Sequence, residues 1–105
     1  MAEPATTIDL CPERHTLRLR LDGDKPRVEA FKGDGEPVCA FDCTVGDLRS
    51  VAAGANLQRS AADGYLLVQP SREAVWIIVS SPEKGFSESC LVPRAEFERA
   101  IATRQ

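Results

Sequence analysis

Apolar and polar residues alternate strictly from Thr16 to Leu21, within a segment that begins at His15. Leu17, Leu19 and Leu21 occupy every second position, and polar residues separate them. Successive side chains of a β-strand point to opposite faces of a sheet, so this period of two predicts a strand with one buried and one solvent-exposed face.

Five further segments have the composition of strands, and short turns rich in Gly, Pro, Asp and Ser separate most of them. The predicted strands are residues 27–31, 38–43, 65–69, 74–80 and 86–92. Ile8 and Leu10 also alternate with polar residues, which allows a short edge strand near the N-terminus. Because the connections are short, we expect neighbouring strands to pair as an antiparallel meander.

Two segments have the signals of helices. Thr44, followed three residues later by Asp47, resembles a capping box, and apolar residues then recur at helical spacing from Leu48 to Ala55. Pro93 fits the first position of a second helix, where its missing N–H costs nothing. The apolar face of that helix would consist of Phe97, Ala100 and Ile101.

The two halves of the chain repeat one order of elements, three strands and then a helix. The units span about residues 15–57 and 64–105, with a polar connector at 56–64. We therefore expect an α+β fold: an antiparallel sheet from two β-β-β-α units, with the helices packed on the sheet. An internal duplication would explain the repeated order. The length fits a single domain over residues 1–105, in which we expect residues 1–7 to be mobile.

The composition is that of a folded, acidic protein. The 105 residues are 43% hydrophobic, and the formal net charge is −3. An acidic balance gives no general attraction to nucleic-acid phosphates. Residues 1–7 hold neither a basic nor an apolar run, and no stretch approaches the roughly 20 apolar residues that cross a bilayer. We expect a cytoplasmic protein without a membrane partner, whose cysteines are thiols.

The predicted strand at 74–80 differs from the others because it is apolar on both faces. Residues 75–79 form an unbroken apolar run that includes Trp76. A strand without alternation is usually covered on both sides or lies at the centre of a sheet. We therefore expect Trp76 to lie in the core.

The cysteines do not predict a metal site. Cys39 and Cys43 have the spacing of a metal clip, but an extended strand places their Cα atoms about 13 Å apart. A zinc ion needs its two sulfurs within roughly 4 Å, and a disulfide needs Cα atoms less than about 7 Å apart. We expect Cys39, Cys43 and Cys90 to be small buried apolar residues.

Cys11 and His15, four residues apart, are the other candidates for metal binding or nucleophilic catalysis. His15 is the single histidine, and Cys11 lies in a segment that we expect to be mobile. A nucleophilic cysteine needs a fixed base and a group that orients the base. We therefore expect no catalytic residue, no cofactor and no metal ligand, and an enzyme is the least favoured class of function.

Four residues are candidates for binding a partner on the exposed face of the first strands: Arg18, Arg20, Arg27 and Phe31. Arginines and an aromatic side chain on a sheet are typical of proteins that hold single-stranded nucleic acid. A strand meander closed by a helix and then repeated is also loosely similar to single-strand-binding folds. Nearby acidic residues dilute the charge, so a solvated face with cross-strand ion pairs is the other interpretation.

By elimination, we expect a non-enzymatic module that binds a protein partner or pairs with itself as a homodimer. The edges of a sheet must be paired, covered or charged, and a chain this rich in predicted strands would use an edge for association. Binding of single-stranded nucleic acid through Arg18, Arg20 and Phe31 is the alternative.

Overall fold

The computed structural model describes residues 7–11, 14–21 and 25–102. We expect residues 1–7 to be mobile, but residues 1–6 lie outside the described part of the chain. Thr7 lies inside it and begins a strand. The predicted turn after Leu21 also falls partly outside it, at residues 22–24.

The described chain has the order β-β-β-β-α twice. The first unit consists of β1 (Thr7–Asp9), β2 (Leu17–Arg20), β3 (Arg27–Phe31), β4 (Pro37–Asp42) and α1 (Val45–Ala52). The second consists of β5 (Leu57–Ala61), β6 (Gly64–Pro70), β7 (Ala74–Ser81), a 3₁₀ turn (Pro82–Lys84), β8 (Phe86–Pro93) and α2 (Arg94–Ala102).

Each unit forms its own antiparallel sheet, with the strands in sequential order. The first sheet is β1-β2-β3-β4, and the second sheet is β5-β6-β7-β8. The predicted α+β class is confirmed. Each unit has one strand more than the three expected: the edge strand β1, and β5, which occupies the segment interpreted as a connector.

The first helix begins as the sequence predicts. The Asp47 N–H donates to the Thr44 hydroxyl over 2.9 Å, and the Thr44 N–H donates to the Asp47 carboxylate over the same distance, which completes the capping box. Gly54 follows the end of α1 and has a φ of 113°. Glycine adopts this left-handed conformation without steric cost, which makes it a suitable residue for ending a helix.

The two units share one hydrophobic core. Leu19 and Val28 of the first sheet belong to the same buried cluster as Leu66 and Ile77 of the second. The helices contact each other, and they also contact β6, β7 and β8 of the second sheet. Phe97 of α2 is buried in this core, as the sequence predicts.

The prediction for Trp76 is wrong. Strand β7 does lie inside its sheet, between β6 and β8, and its residues Val75 and Ile77 are buried. Trp76 points to the opposite side and is 42% exposed. The unbroken apolar run of β7 therefore has one face on the core and the other toward solvent.

Candidate functional site

The outward side of the second sheet carries no charged side chain. Alternate residues of its four strands point away from the core, and the register aligns them in rows across the sheet. We call this surface the uncharged face. Its large apolar members are Tyr65, Leu67, Trp76, Ile78 and Leu91, and its other members are Ala, Gln, Pro and Ser.

The exposed apolar residues of the molecule concentrate on this face. Tyr65, Trp76 and Leu91 are 47%, 42% and 51% exposed, and they are the large hydrophobic residues of the described chain that lie most open to solvent. Single exposed apolar residues are normal, whereas contiguous ones mark interaction surfaces. The sequence signal for this site was the unbroken apolar run of β7.

The predicted binding residues do come together on the outward side of the first sheet. Arg18, Arg20, Arg27 and Phe31 all point away from the core, and we call this surface the arginine face. The guanidinium of Arg18 lies 4.6 Å from the centre of the Phe31 ring, which is a cation–π contact.

Carboxylates compensate most of the charge of the arginine face. Arg27 is 3.0 Å from Asp42, and Arg20 is 3.5 Å from Glu29, in both cases across neighbouring strands. Exposed ion pairs of this kind contribute about 0–1 kcal/mol each. Arg20, Lys25 and Arg27 nevertheless line a shallow cleft of about 290 Å³ with Asp42, and positive charge dominates there.

The cysteines divide into two pairs. The structure joins Cys11 and Cys90 in a disulfide, with 5.7 Å between their Cα atoms. The expectation that all four cysteines are thiols is therefore wrong for this pair. Cys11 is buried and bonded, and Cys90 is buried as predicted but is not a free thiol, because the segment after β1 packs against β8.

Cys39 and Cys43 are buried thiols, as predicted. Burial raises the pKa of Cys39, and the nearby Asp63 adds to this effect. Burial likewise raises the pKa of Cys43 to about 11, although Arg59 acts in the opposite direction. Thiols of this kind are weak nucleophiles at neutral pH, since the thiolate is the reactive form.

A polar cluster surrounds the disulfide. The Glu88 carboxylate accepts a hydrogen bond from the Thr16 hydroxyl over 2.8 Å and forms an ion pair with Arg14 over 2.8 Å. Arg14 also donates to the sulfur of Cys11 over 3.9 Å. The two cysteines and Arg14 line a cleft of about 530 Å³, together with Trp76 and Leu91 of the uncharged face.

His15 does not form part of a catalytic arrangement with Cys11. Its ring Nδ1 contacts the Asp9 carboxylate, and its side chain is largely exposed. The backbone of His15 has a φ of 57°, a left-handed conformation that histidine adopts more often than most residues.

No protein-family model, no curated protein and no solved structure matches the chain. None of the helices in the described part of the chain has the length and apolar character that a membrane span requires.

Proposed function

We propose that the protein is a non-enzymatic interaction module that pairs with a second copy of itself through the uncharged face. The observation that carries this proposal is that strand β7 is apolar on both sides, while only one side meets the core. A strand that is apolar on both faces is usually covered on both. A second layer of protein over Trp76 and Ile78 would remove the apolar surface of the outward face from water, which is favourable.

The absence of charge on the face favours a second copy as the occupant. In a two-fold dimer the same surface patch lies on both subunits, so a charged residue near the axis meets its own like charge. The strand residues of the uncharged face avoid this repulsion, and Arg14, which lines the cleft beside Trp76 and Leu91, is paired with Glu88. The arginine face does not avoid the repulsion, because Arg20 and Arg27 lie opposite each other on adjacent strands and would meet the same pair on the other copy.

The size of the face fits a weak dimer. Four strands about 4.8 Å apart and about seven residues long, at roughly 3.3 Å per residue, make a face of roughly 400–450 Å² before side-chain relief is counted. Two such faces in contact bury about 800–900 Å² in total before that relief is counted, which is the size of a weak or transient interface.

The test is the molar mass in solution over a range of protein concentrations, measured by analytical ultracentrifugation. We expect a monomer–dimer equilibrium for the wild type and a dissociation constant at least tenfold higher for Leu91→Glu. Ala40→Glu is the matched control, because Ala40 is exposed on the outward side of the first sheet. A wild type that stays monomeric throughout, or a Leu91→Glu variant that dimerises like Ala40→Glu, would exclude the proposal.

The second candidate function is binding of single-stranded nucleic acid through the arginine face. The cleft lined by Arg20, Lys25 and Arg27 supports it, and so does the Arg18–Phe31 contact. The ion pairs to Glu29 and Asp42 count against it, because a phosphate would have to displace them.

Anisotropy of a labelled single-stranded oligonucleotide distinguishes the two functions. Binding through the arginine face should weaken steeply as salt rises and should be lost in an Arg18→Glu, Arg20→Glu double variant. Leu91→Glu should bind the oligonucleotide as the wild type does. Equal affinity in the double variant and the wild type would rule out this face.

A further inference from the structure

We propose that Cys11, Cys90 and Glu88 form a binding site for a zinc ion when the Cys11–Cys90 disulfide is reduced. The two sulfurs and a carboxylate oxygen lie within 4.8 Å of one another. Thiolate sulfur and carboxylate oxygen are both established zinc ligands. Both cysteines are buried and Glu88 is nearly so, so the three ligands are held by the fold and not by a flexible surface.

The backbone geometry suits both states of the cysteine pair. Two sulfurs about 2.3 Å from one tetrahedral zinc ion are roughly 3.8 Å apart. The 5.7 Å between the Cα atoms of Cys11 and Cys90 lets side-chain rotation provide this separation once the S–S bond is broken. The same pair can therefore be a disulfide or a chelate, but not both at once.

Glu88 has a free position for a metal ion. Its Oε1 accepts one hydrogen bond, from Thr16, and its Oε2 is taken by Arg14 and by the Ser89 N–H. A carboxylate oxygen has two lone pairs, so Oε1 can bind an ion without losing Thr16. Thr16 and Arg14 then fix the orientation of the carboxylate, as outer partners of metal ligands usually do.

The charges of the site balance when zinc is bound. Two thiolates and one carboxylate carry three negative charges, and the ion with Arg14 carries three positive charges. Arg14 touches both Glu88 and the sulfur of Cys11, so it stabilises the anionic ligand set. Three protein ligands leave one position of a tetrahedral ion open, and the cleft of about 530 Å³ that Cys11 and Cys90 line gives this position access to water or a small ligand.

Loading of the site requires a reductant. A dithiol gives two electrons to the Cys11–Cys90 bond, which breaks into two thiols while the dithiol becomes a disulfide. Zinc then displaces two protons from the thiols as it binds. In a reducing compartment the pair would be two thiols, and the site would be open to zinc.

Cobalt and zinc titrations of the reduced protein, after removal of the reductant without air, test the proposal. We expect one Co²⁺ per chain with a sulfur-to-cobalt absorption band, displacement of Co²⁺ by Zn²⁺, and no binding to the oxidised protein. Cys90→Ser should lose the band, and Glu88→Gln should bind Zn²⁺ at least tenfold more weakly. Circular dichroism confirms that each variant is folded.

The matched control is a Cys39→Ala, Cys43→Ala double variant, which removes the other two thiols and should bind Co²⁺ as the wild type does. Absence of one-to-one binding by the folded, reduced wild type would overturn the proposal. Equal Zn²⁺ affinity of Glu88→Gln and the wild type would overturn the role of Glu88, and this variant decides the matter if Cys90→Ser does not fold.

Discussion

Trp76 and Leu91 lie directly opposite each other on strands β7 and β8, and both side chains point into solvent. Such cross-strand apolar pairs stabilise a sheet by roughly 0.2–1 kcal/mol. The next residue along β7, Ile77, is 2% exposed and packs in the core. Trp76 and Ile77 are neighbours on one strand, yet one is exposed and the other is buried. Substitutions of exposed Leu91 and buried Ile77 should therefore have different effects on stability.

We predict that Leu91→Ala lowers the free energy of unfolding of the monomer by less than about 1 kcal/mol, whereas Ile77→Ala lowers it by about 2–5 kcal/mol. Only the second change leaves a cavity in a packed core. The measurement is urea denaturation followed by circular dichroism at a protein concentration at which the chain is monomeric. Equal losses in the two variants would mean that Leu91 is packed within its own chain.

The capping box of α1 makes part of the stability depend on pH. Burial by itself raises the pKa of Asp47, but the hydrogen bond from the Thr44 N–H and the contact with Arg59 outweigh it and hold the pKa below the ordinary 3.8. The unfolded chain therefore takes up a proton at Asp47 before the folded chain does. The stabilisation is complete above pH about 4 and is lost as the pH falls through the lowered pKa.

We predict that Asp47→Asn lowers the free energy of unfolding by about 1 kcal/mol at pH 7, because the asparagine keeps the shape of the cap but not its charge. The difference from the wild type should shrink as the pH falls from about 4 through the lowered pKa of Asp47 in the folded wild type. Denaturation curves at several pH values measure it. A difference that stays constant down to pH 2 would show that the charge of Asp47 is not involved.

Much of the fold could be predicted from local patterns. The alternation around Leu19 predicts β2, and the Thr44–Asp47 pair predicts the start of α1. Strand β5 was not predicted because it lies at the edge of its sheet, where Leu57 is buried and the next three residues are polar. An edge strand of this kind has the composition of a loop, so its pairing with β6 is visible only in the fold.

The candidate sites also differ in whether the sequence alone could predict them. The arginine face could be predicted because side chains alternate between the two faces of a strand. This alternation along β2 and β3 places Arg18 and Phe31 on the same side of the sheet. The cluster at Cys11 and Glu88 could not, because 77 positions separate these residues in the printed sequence and only tertiary packing joins them. The position of Trp76 was predicted wrongly because an unbroken apolar run does not show which of the two faces of a strand meets the core.

The buried thiols should be protected from reagents. We predict that native protein at pH 8 reacts with a thiol reagent at least 100-fold more slowly than unfolded protein, which should expose Cys39 and Cys43. A pKa of about 11 leaves Cys43 with about one thiolate per thousand molecules at pH 8. Rapid labelling of both thiols in native protein would contradict their burial.

Because the folded chain keeps the proton of Cys43 to a higher pH than the unfolded chain does, the free energy of unfolding should also fall between pH about 9 and 11.

The disulfide should contribute strongly to stability under oxidising conditions. Cys11 and Cys90 are 79 positions apart. In the chain-entropy description, closing a loop of that length raises the free energy of the unfolded chain by about 4.5 kcal/mol. We predict that a Cys11→Ala, Cys90→Ala double variant loses about 2–4 kcal/mol, measured by denaturation without reductant. Reductant should lower the stability of the wild type and leave the double variant unchanged. A loss in the double variant on adding reductant would point to a different bond.

Gly64, the first residue of β6, should not tolerate a side chain. A Cβ atom at this position would lie 2.6 Å from the backbone oxygen of Ser80 on β7, and a backbone oxygen cannot move aside without disturbing the sheet. We predict that Gly64→Ala lowers the free energy of unfolding by about 1–3 kcal/mol. Gly33→Ala is the control, because a Cβ there meets no atom within 4 Å, and its effect should stay within about 0.5 kcal/mol. Equal stabilities of the two variants would mean that β6 and β7 approach less closely at this end of the two strands.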